Sequence, residues 1–218
     1  MFDFGNSLQS GMILNMETIF FFLVFIFSAV IHEVSHGYAA NLLGDPTAKY
    51  EGRLTLNPFK HLDFFGSFLV PLITYMAGGF VFGWAKPVPY NPYNLKNPKV
   101  DAGLVAAAGP ASNFIMALFF GLILRFGQQL AFIPTPFLEI ISLIVLINII
   151  LGVFNLIPVP PLDGSKVLFS FLPLSLQGVM DFLERFGFFF LLIIIFFFSG
   201  WILPIVSFLF RLITGTGF

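Results

Sequence analysis

Apolar residues fall in four long runs along the chain, and polar or turn-forming residues crowd the gaps between them. The first run covers about 17–43 and stops at Gly44, a residue suited to end a helix. The others cover about 102–126, 137–156 and 186–210. Each has roughly the 20 residues a helix needs to cross a bilayer. A fifth apolar stretch, 64–82, is broken by Pro71 and by Gly78-Gly79, and "GGFVFGWAKPVPYNP" (78–92) has the pattern of turn plus extended chain. Broken backbone is tolerated at membrane depth only when packed in protein or lining a wet cavity. A plain span and a re-entrant element both fit 64–82. Further on, Leu176, Val179, Met180, Leu183 and Phe186 recur at helical spacing opposite Gln177, Asp181, Glu184 and Arg185. That suits a short helix in the membrane interface, or one packed on the bundle.

The pattern predicts an all-α polytopic membrane protein. It has about four full transmembrane helices plus a re-entrant or extended segment between the first and second. One domain covers 1–218, with a core at 17–166 and an interfacial helix and last span in 167–218. Composition strengthens this picture. The 218 residues are 58% hydrophobic, 18% aromatic and 10% charged, with 33 phenylalanines; a soluble domain is about a quarter charged. A net charge of −1 gives no basic field for nucleic acid. The absence of cysteine excludes disulfides, thiolate chemistry and cysteine-based zinc sites. Residues 1–16 hold no Lys or Arg and so lack the basic region of a signal peptide.

Within the first apolar run lies "IHEVSHGY" (31–38). His32-Glu33-Val34-Ser35-His36 matches H-E-x-x-H, in which residues four apart on a helix share a face and can reach one ion. Glu33 points about 100° away, where it can hold a water on that ion and move its proton. Three ionisable residues inside a spanning helix each cost about 2–3 kcal/mol in lipid, and such groups are as a rule functional. Two imidazoles leave a catalytic zinc site one protein ligand short. His61, in "NPFKHLDFF", could supply it, or be a solvated or interfacial histidine. Glu17, Asp101 and Glu139 open predicted helices, where an acid offsets the dipole. Asp163 lies in "NLIPVPPLDGSK", whose breaks can bend it back toward the bundle; an ordinary turn aspartate would look the same.

Together, "HEVSH" (32–36), "AAGPASN" (107–113) and "NLIPVPPLDG" (155–164) resemble the site-2 protease family of intramembrane zinc metalloproteases. "GRLTLNP" (52–58) and "FGWAKPVP" (82–89) are similar to its compact bacterial and archaeal branch. The resemblance implies that His32, His36 and Asp163 bind one zinc ion per chain and that Glu33 is the general base. It implies that Asn155 and Asn113 line the cleft, where an amide could hold an unwound substrate backbone or a developing oxyanion. A helix-to-helix hydrogen bond is the other use for either asparagine. The implied partners are a membrane-protein or peptide substrate and the lipid bilayer. Unlike larger relatives, the chain is expected to have no PDZ-like insertion and no cystathionine-synthase-type regulatory domain. Two rival functions are a polytopic ion or metal transporter and an inactive relative that binds membrane segments.

If these ligands share an ion, they share a depth. His32 lies about 22 Å along the first helix from Glu17 at 1.5 Å per residue. Asp163 reaches that depth only if 64–82 enters and leaves on one side of the membrane. That side then holds Lys49, Arg53, Lys60, Lys86, Lys96, Lys99, Lys166 and Arg185, against Arg125 and Arg211 on the other. By the positive-inside rule the site is expected in the cytoplasmic half of a prokaryotic plasma membrane, with the N-terminus outside. The extended 78–89 stretch could pair with an unwound substrate strand. Proline at Gly79 or Phe82 is then expected to slow cleavage of a transmembrane substrate, and an unchanged rate would exclude such pairing.

Overall fold

The computed structural model describes residues 16–63, 86–127 and 134–217, with isolated positions 66, 69 and 73. Its helices are α1 (Met16–Leu42), α2 (Thr47–Tyr50), α3 (Pro98–Gly127), α4 (Thr135–Asn155), α5 (Asp163–Phe171) and α6 (Gln177–Thr214). No strand occurs among the described residues. α1, α3 and α4 are long and apolar enough to cross a membrane. The stretches Leu174–Ile195 and Gly200–Thr214 meet at 76° and form a fourth span if taken as one bent element. Phe22, Phe119, Phe189 and Phe208 are exposed on the outside of the bundle, where lipid would cover them. The architecture is the all-α polytopic membrane fold that the hydrophobic pattern predicts.

Local chemistry sets the helix ends. α3 starts at Pro98, whose missing N–H costs nothing in a first turn. There the Asp101 carboxylate accepts the Asn97 N–H at 2.8 Å. α6 ends at Gly215, which takes a positive φ of 82° and donates its N–H to the Arg211 carbonyl. Ala117 and Leu124 of α3, Ile141 and Val145 of α4, and Val206 and Phe210 of α6 form one apolar core. Ala40, Leu95 and Val105 form a second, where the end of α1 meets the start of α3.

The second cluster fixes the chain direction. The Lys86 N–H donates to the His61 carbonyl at 2.8 Å, so the connection from α1 to α3 leaves and returns at the same end of the bundle. This satisfies the depth requirement. The expected re-entrant form of 64–82 and the turn at 78–85 lie outside the described residues; 86–91 follows an irregular, non-helical path. At the opposite end, Arg125 donates to the Leu212 carbonyl at 3.2 Å, next to Arg211.

Two features differ from the predicted pattern. The expected interfacial helix and the last span, 186–210, are one helix from Gln177, and its bend falls after Ile195. Within it, Gly187 allows close packing: a Cβ there would come within 2.4 Å of the Pro160 carbonyl. α5 has no counterpart in the predicted elements, because nine residues are too few to show a period.

The end of α1 is tied down by a buried carboxylate. Asp45 Oδ1 accepts the Thr47 hydroxyl at 2.5 Å and the Asn94 amide at 2.7 Å, and Oδ2 accepts the Asn91 N–H at 2.6 Å. Burial pushes this carboxyl up, but the hydrogen bonds from Thr47, Asn94 and Asn91 outweigh it and hold it below its ordinary 3.8. A lowered folded-state value stabilises the fold above the unfolded value and loses that contribution as pH falls through the folded one. Asp45→Asn is expected to destabilise by about 2 kcal/mol or more at neutral pH. In thermal unfolding in detergent, the gap to wild type should narrow below about pH 4.

Candidate metal centre

His32 and His36 sit one turn apart on α1, and α3 sets their tautomers. His32 Nδ1–H donates to Asn113 Oδ1 at 2.6 Å. His36 Nδ1–H donates to the Val105 carbonyl at 2.7 Å. With Nδ1 carrying the proton, each neutral ring has a lone pair at Nε2. Both Nε2 atoms face Asp163 Oδ2, at 3.0 and 3.3 Å. Ligands about 2.0–2.1 Å from a tetrahedral zinc ion stand about 3.3 Å from one another. Three electron-pair donors aimed at one point repel each other unless a cation lies among them, so the donor set fits zinc.

Two glycines permit this convergence. A Cβ on Gly109 would lie 2.4 Å from His36 Nε2 and 2.6 Å from His32 Nε2, in the space an ion would need. A Cβ on Gly164 would come within 2.2 Å of the Leu156 carbonyl, forcing α5 off the end of α4 and taking Asp163 with it. The Asp163 side chain is 16% exposed and turned inward onto His32 and His36. It also sits in the first turn of α5, where the helix dipole favours a negative charge.

Glu33 stands beside this triad, and its Oε2 accepts the Val88 N–H at 2.9 Å. The histidines, Glu33, Asp163, Asn155 and Lys166 share a cleft of about 170 Å³. A larger cleft of about 440 Å³, against Phe114, Trp201 and Ile205, is lined by apolar side chains and offers no acid, base or ligand.

The predicted residues thus separate into two groups. His32, Glu33, His36, Asp163 and Asn155 come together in the cleft. The Asn155 amide donates to the Leu151 carbonyl at 3.0 Å. Asn113 lies behind His32, fully buried, and its amide donates to Asn148 Oδ1 at 2.9 Å. Held at its oxygen by His32 and at its amide by Asn148, and fully buried, it orients His32 and does not line the cleft. Asn148 continues the line, donating to Ser28 Oγ at 2.9 Å and to the Ile144 carbonyl at 2.8 Å. Neither Asn148 nor Ser28 was singled out in the sequence, although a lone amide within "LIVLINIIL" is itself a signal in a membrane helix. His61 is neither solvated nor part of the triad. It is 1% exposed, and its Nε2 donates to the Thr55 carbonyl at 2.9 Å.

Gly109→Ala is expected to keep the helical content, since alanine is the better helix former. Bound zinc should fall to near zero by metal analysis of the purified variant, with circular dichroism unchanged.

The profile of Peptidase family M50 matches residues 20–133 and 126–194. YwhC of Bacillus subtilis, named as a candidate zinc metalloprotease, is 41% identical over 171 residues, which is 76% of this chain and 75% of that protein. A Methanocaldococcus jannaschii protein of the same description is 32% identical over 160 residues, 68% of this chain and 72% of its own. Rip2 of Mycolicibacterium smegmatis, also so described, is 28% identical over 164 residues, covering 75% of this chain and 61% of that protein. No solved structure matches the chain. On the extent of these matches, the chain belongs to peptidase family M50, the site-2 protease family of metalloendopeptidases.

Proposed function

We propose that the chain is a zinc-dependent intramembrane endopeptidase that hydrolyses peptide bonds in or near transmembrane segments of membrane proteins. The observation that carries this reading is the meeting of two Nε2 lone pairs and one carboxylate oxygen, all within 4.8 Å, beside the Glu33 carboxylate. His32, His36 and Asp163 would hold the ion. Zinc, when bound, lowers the pKa of a water to about 7 and polarises a carbonyl.

The chain's own groups do the rest. Glu33 takes a proton from the attacking water and returns it to the leaving amine, the shuttle a carboxylate in such a cleft can perform. Asn155, at the cleft wall, is placed to hold the backbone of an unwound substrate once its amide turns from Leu151. The helix-lined walls on α1, α3 and α4 favour a substrate that is itself a membrane segment, locally unwound so that its carbonyls are accessible. The excess of Lys and Arg at the site's end of the bundle favours a cytoplasmic-half active site in a prokaryotic plasma membrane, with the N-terminus outside.

The transporter reading needs charged groups spread along several helices. Here the chain of partners from His32 through Asn113 and Asn148 to Ser28 is neutral beyond the histidine. A binder without activity would have no use for a carboxylate held beside the ligands.

The test is Glu33→Gln in purified protein with a model transmembrane substrate. Zinc content should stay at one per chain, while cleavage falls by at least about 100-fold, as loss of a general base does. Full cleavage by Glu33→Gln would end this reading.

A further inference from the structure

Arg53 is 5% exposed, and no carboxylate among the described residues pairs with it. Taking a cation out of water without a partner costs several kcal/mol. Its place must therefore be compensated by dipoles. Arg53 Nη2 donates to the Lys86 carbonyl at 2.9 Å and to the Pro87 carbonyl at 3.3 Å. The next residue is Val88, whose N–H donates to Glu33.

The stretch between these contacts is stiff. Pro87 and Pro89 flank Val88 and fix their own φ. Val88 is 6% exposed and packs toward Gly37, one turn along α1 from Glu33. From the other side, the Lys86 N–H bonds to the His61 carbonyl, and the His61 ring bonds to the Thr55 carbonyl two residues from Arg53. The 53–61 loop and the 86–88 stretch thus close into one hydrogen-bonded frame. The metal ligands do not belong to it: α3 holds the two rings, and α5 carries the aspartate.

We propose that Arg53 is a positioning residue for catalysis: by holding the carbonyls of residues 86 and 87 it aims the Val88 N–H at the Glu33 carboxylate and so sets the base beside the metal. This rests on the reading of Glu33 as the general base. The frame holds no metal ligand and meets the cleft through Pro87 and Val88, whose backbone bonds to Arg53 and Glu33, so its loss should slow turnover first and leave metal binding and substrate binding intact. A merely structural arginine would lower all of these together.

The experiment compares zinc-loaded full chain in detergent as wild type, Arg53→Lys, Arg53→Gln and Val88→Pro. It measures zinc content, melting temperature, and kcat and KM on a model transmembrane substrate. Arg53→Gln is expected to lower kcat by about 10- to 100-fold, the scale of an ångström of misplacement, with KM and zinc content unchanged. Arg53→Lys should recover part of that loss, because an ammonium still donates to a carbonyl. Val88→Pro removes the N–H itself and should reproduce the kcat loss with Arg53 in place. Amide exchange at Val88 should quicken in both Arg53 variants. Wild-type kcat in Arg53→Gln, or a parallel loss of zinc, KM and melting temperature, would overturn the proposal. So would unchanged exchange at Val88. These outcomes separate from failure of the peptidase reading, which shows in Glu33→Gln alone.

Discussion

Three electron-pair donors held at one point inside an apolar bundle are the constraint around which this molecule is built. Two neutral imidazoles and a carboxylate have no reason to face one another in a low-dielectric interior, where mutual repulsion is weakly screened. α3 holds them there. It accepts the Nδ1 protons of both histidines, one on a side-chain amide and one on a backbone carbonyl, and so commits both lone pairs to the same space. Such partners commonly fix the tautomer and orientation of metal-ligating histidines. The order of dependence runs outward from that point. Depth matching of α1 with the start of α5 dictates the direction of α4, and that dictates a connection returning to its own side.

The close approach this needs is made by removing atoms. Gly109 brings α3 against two ring nitrogens, and Gly164 brings α5 against the end of α4. In lipid there is little hydrophobic gain from helix association, so tight packing of small residues and interhelical hydrogen bonds carry much of it. The line from His32 through Asn113 and Asn148 to Ser28 ties α1, α3 and α4 together at one level with neutral groups that satisfy one another. One set of polar contacts thus both assembles the bundle and orients the His32 ring.

Much of this was legible in the sequence, for physical reasons that differ from residue to residue. The long helices show because lipid demands about 20 apolar residues in a row. His32, Glu33 and His36 show because charge in such a run is costly. Asp163 could be placed only by combining its Pro-rich surroundings with the resemblance, since its own Asp-Gly context is that of any turn. Asn113 was legible as a polar helix residue, but its task was not: whether an amide faces the cleft or the back of an imidazole depends on helix rotation, which hydrophobic pattern cannot fix when lipid and core are equally apolar. Asn148 and Ser28 were hidden for the same reason. The continuity of α6 from Gln177 was not legible, because an amphipathic stretch and a fully apolar one differ in pattern even when they share one helix.

The histidine–aspartate triad and Glu33 are held by different kinds of structure, and this bears on how a substrate could be received. The triad sits on a long helix and a helix start. Glu33 leans on an irregular stretch, 86–90, whose hydrogen-bonding capacity is nearly spent. Pro87 and Pro89 have no N–H, the N–H groups of Lys86 and Val88 are taken by His61 and Glu33, and Arg53 takes the carbonyls of residues 86 and 87. A substrate strand pairing along this stretch would find three successive carbonyls, at Val88, Pro89 and Tyr90, and a single N–H, at Tyr90. A ladder needs donors and acceptors in alternation. With the Val88 N–H committed to Glu33 and proline on either side of it, the stretch is built to hold Glu33 rather than to extend a sheet.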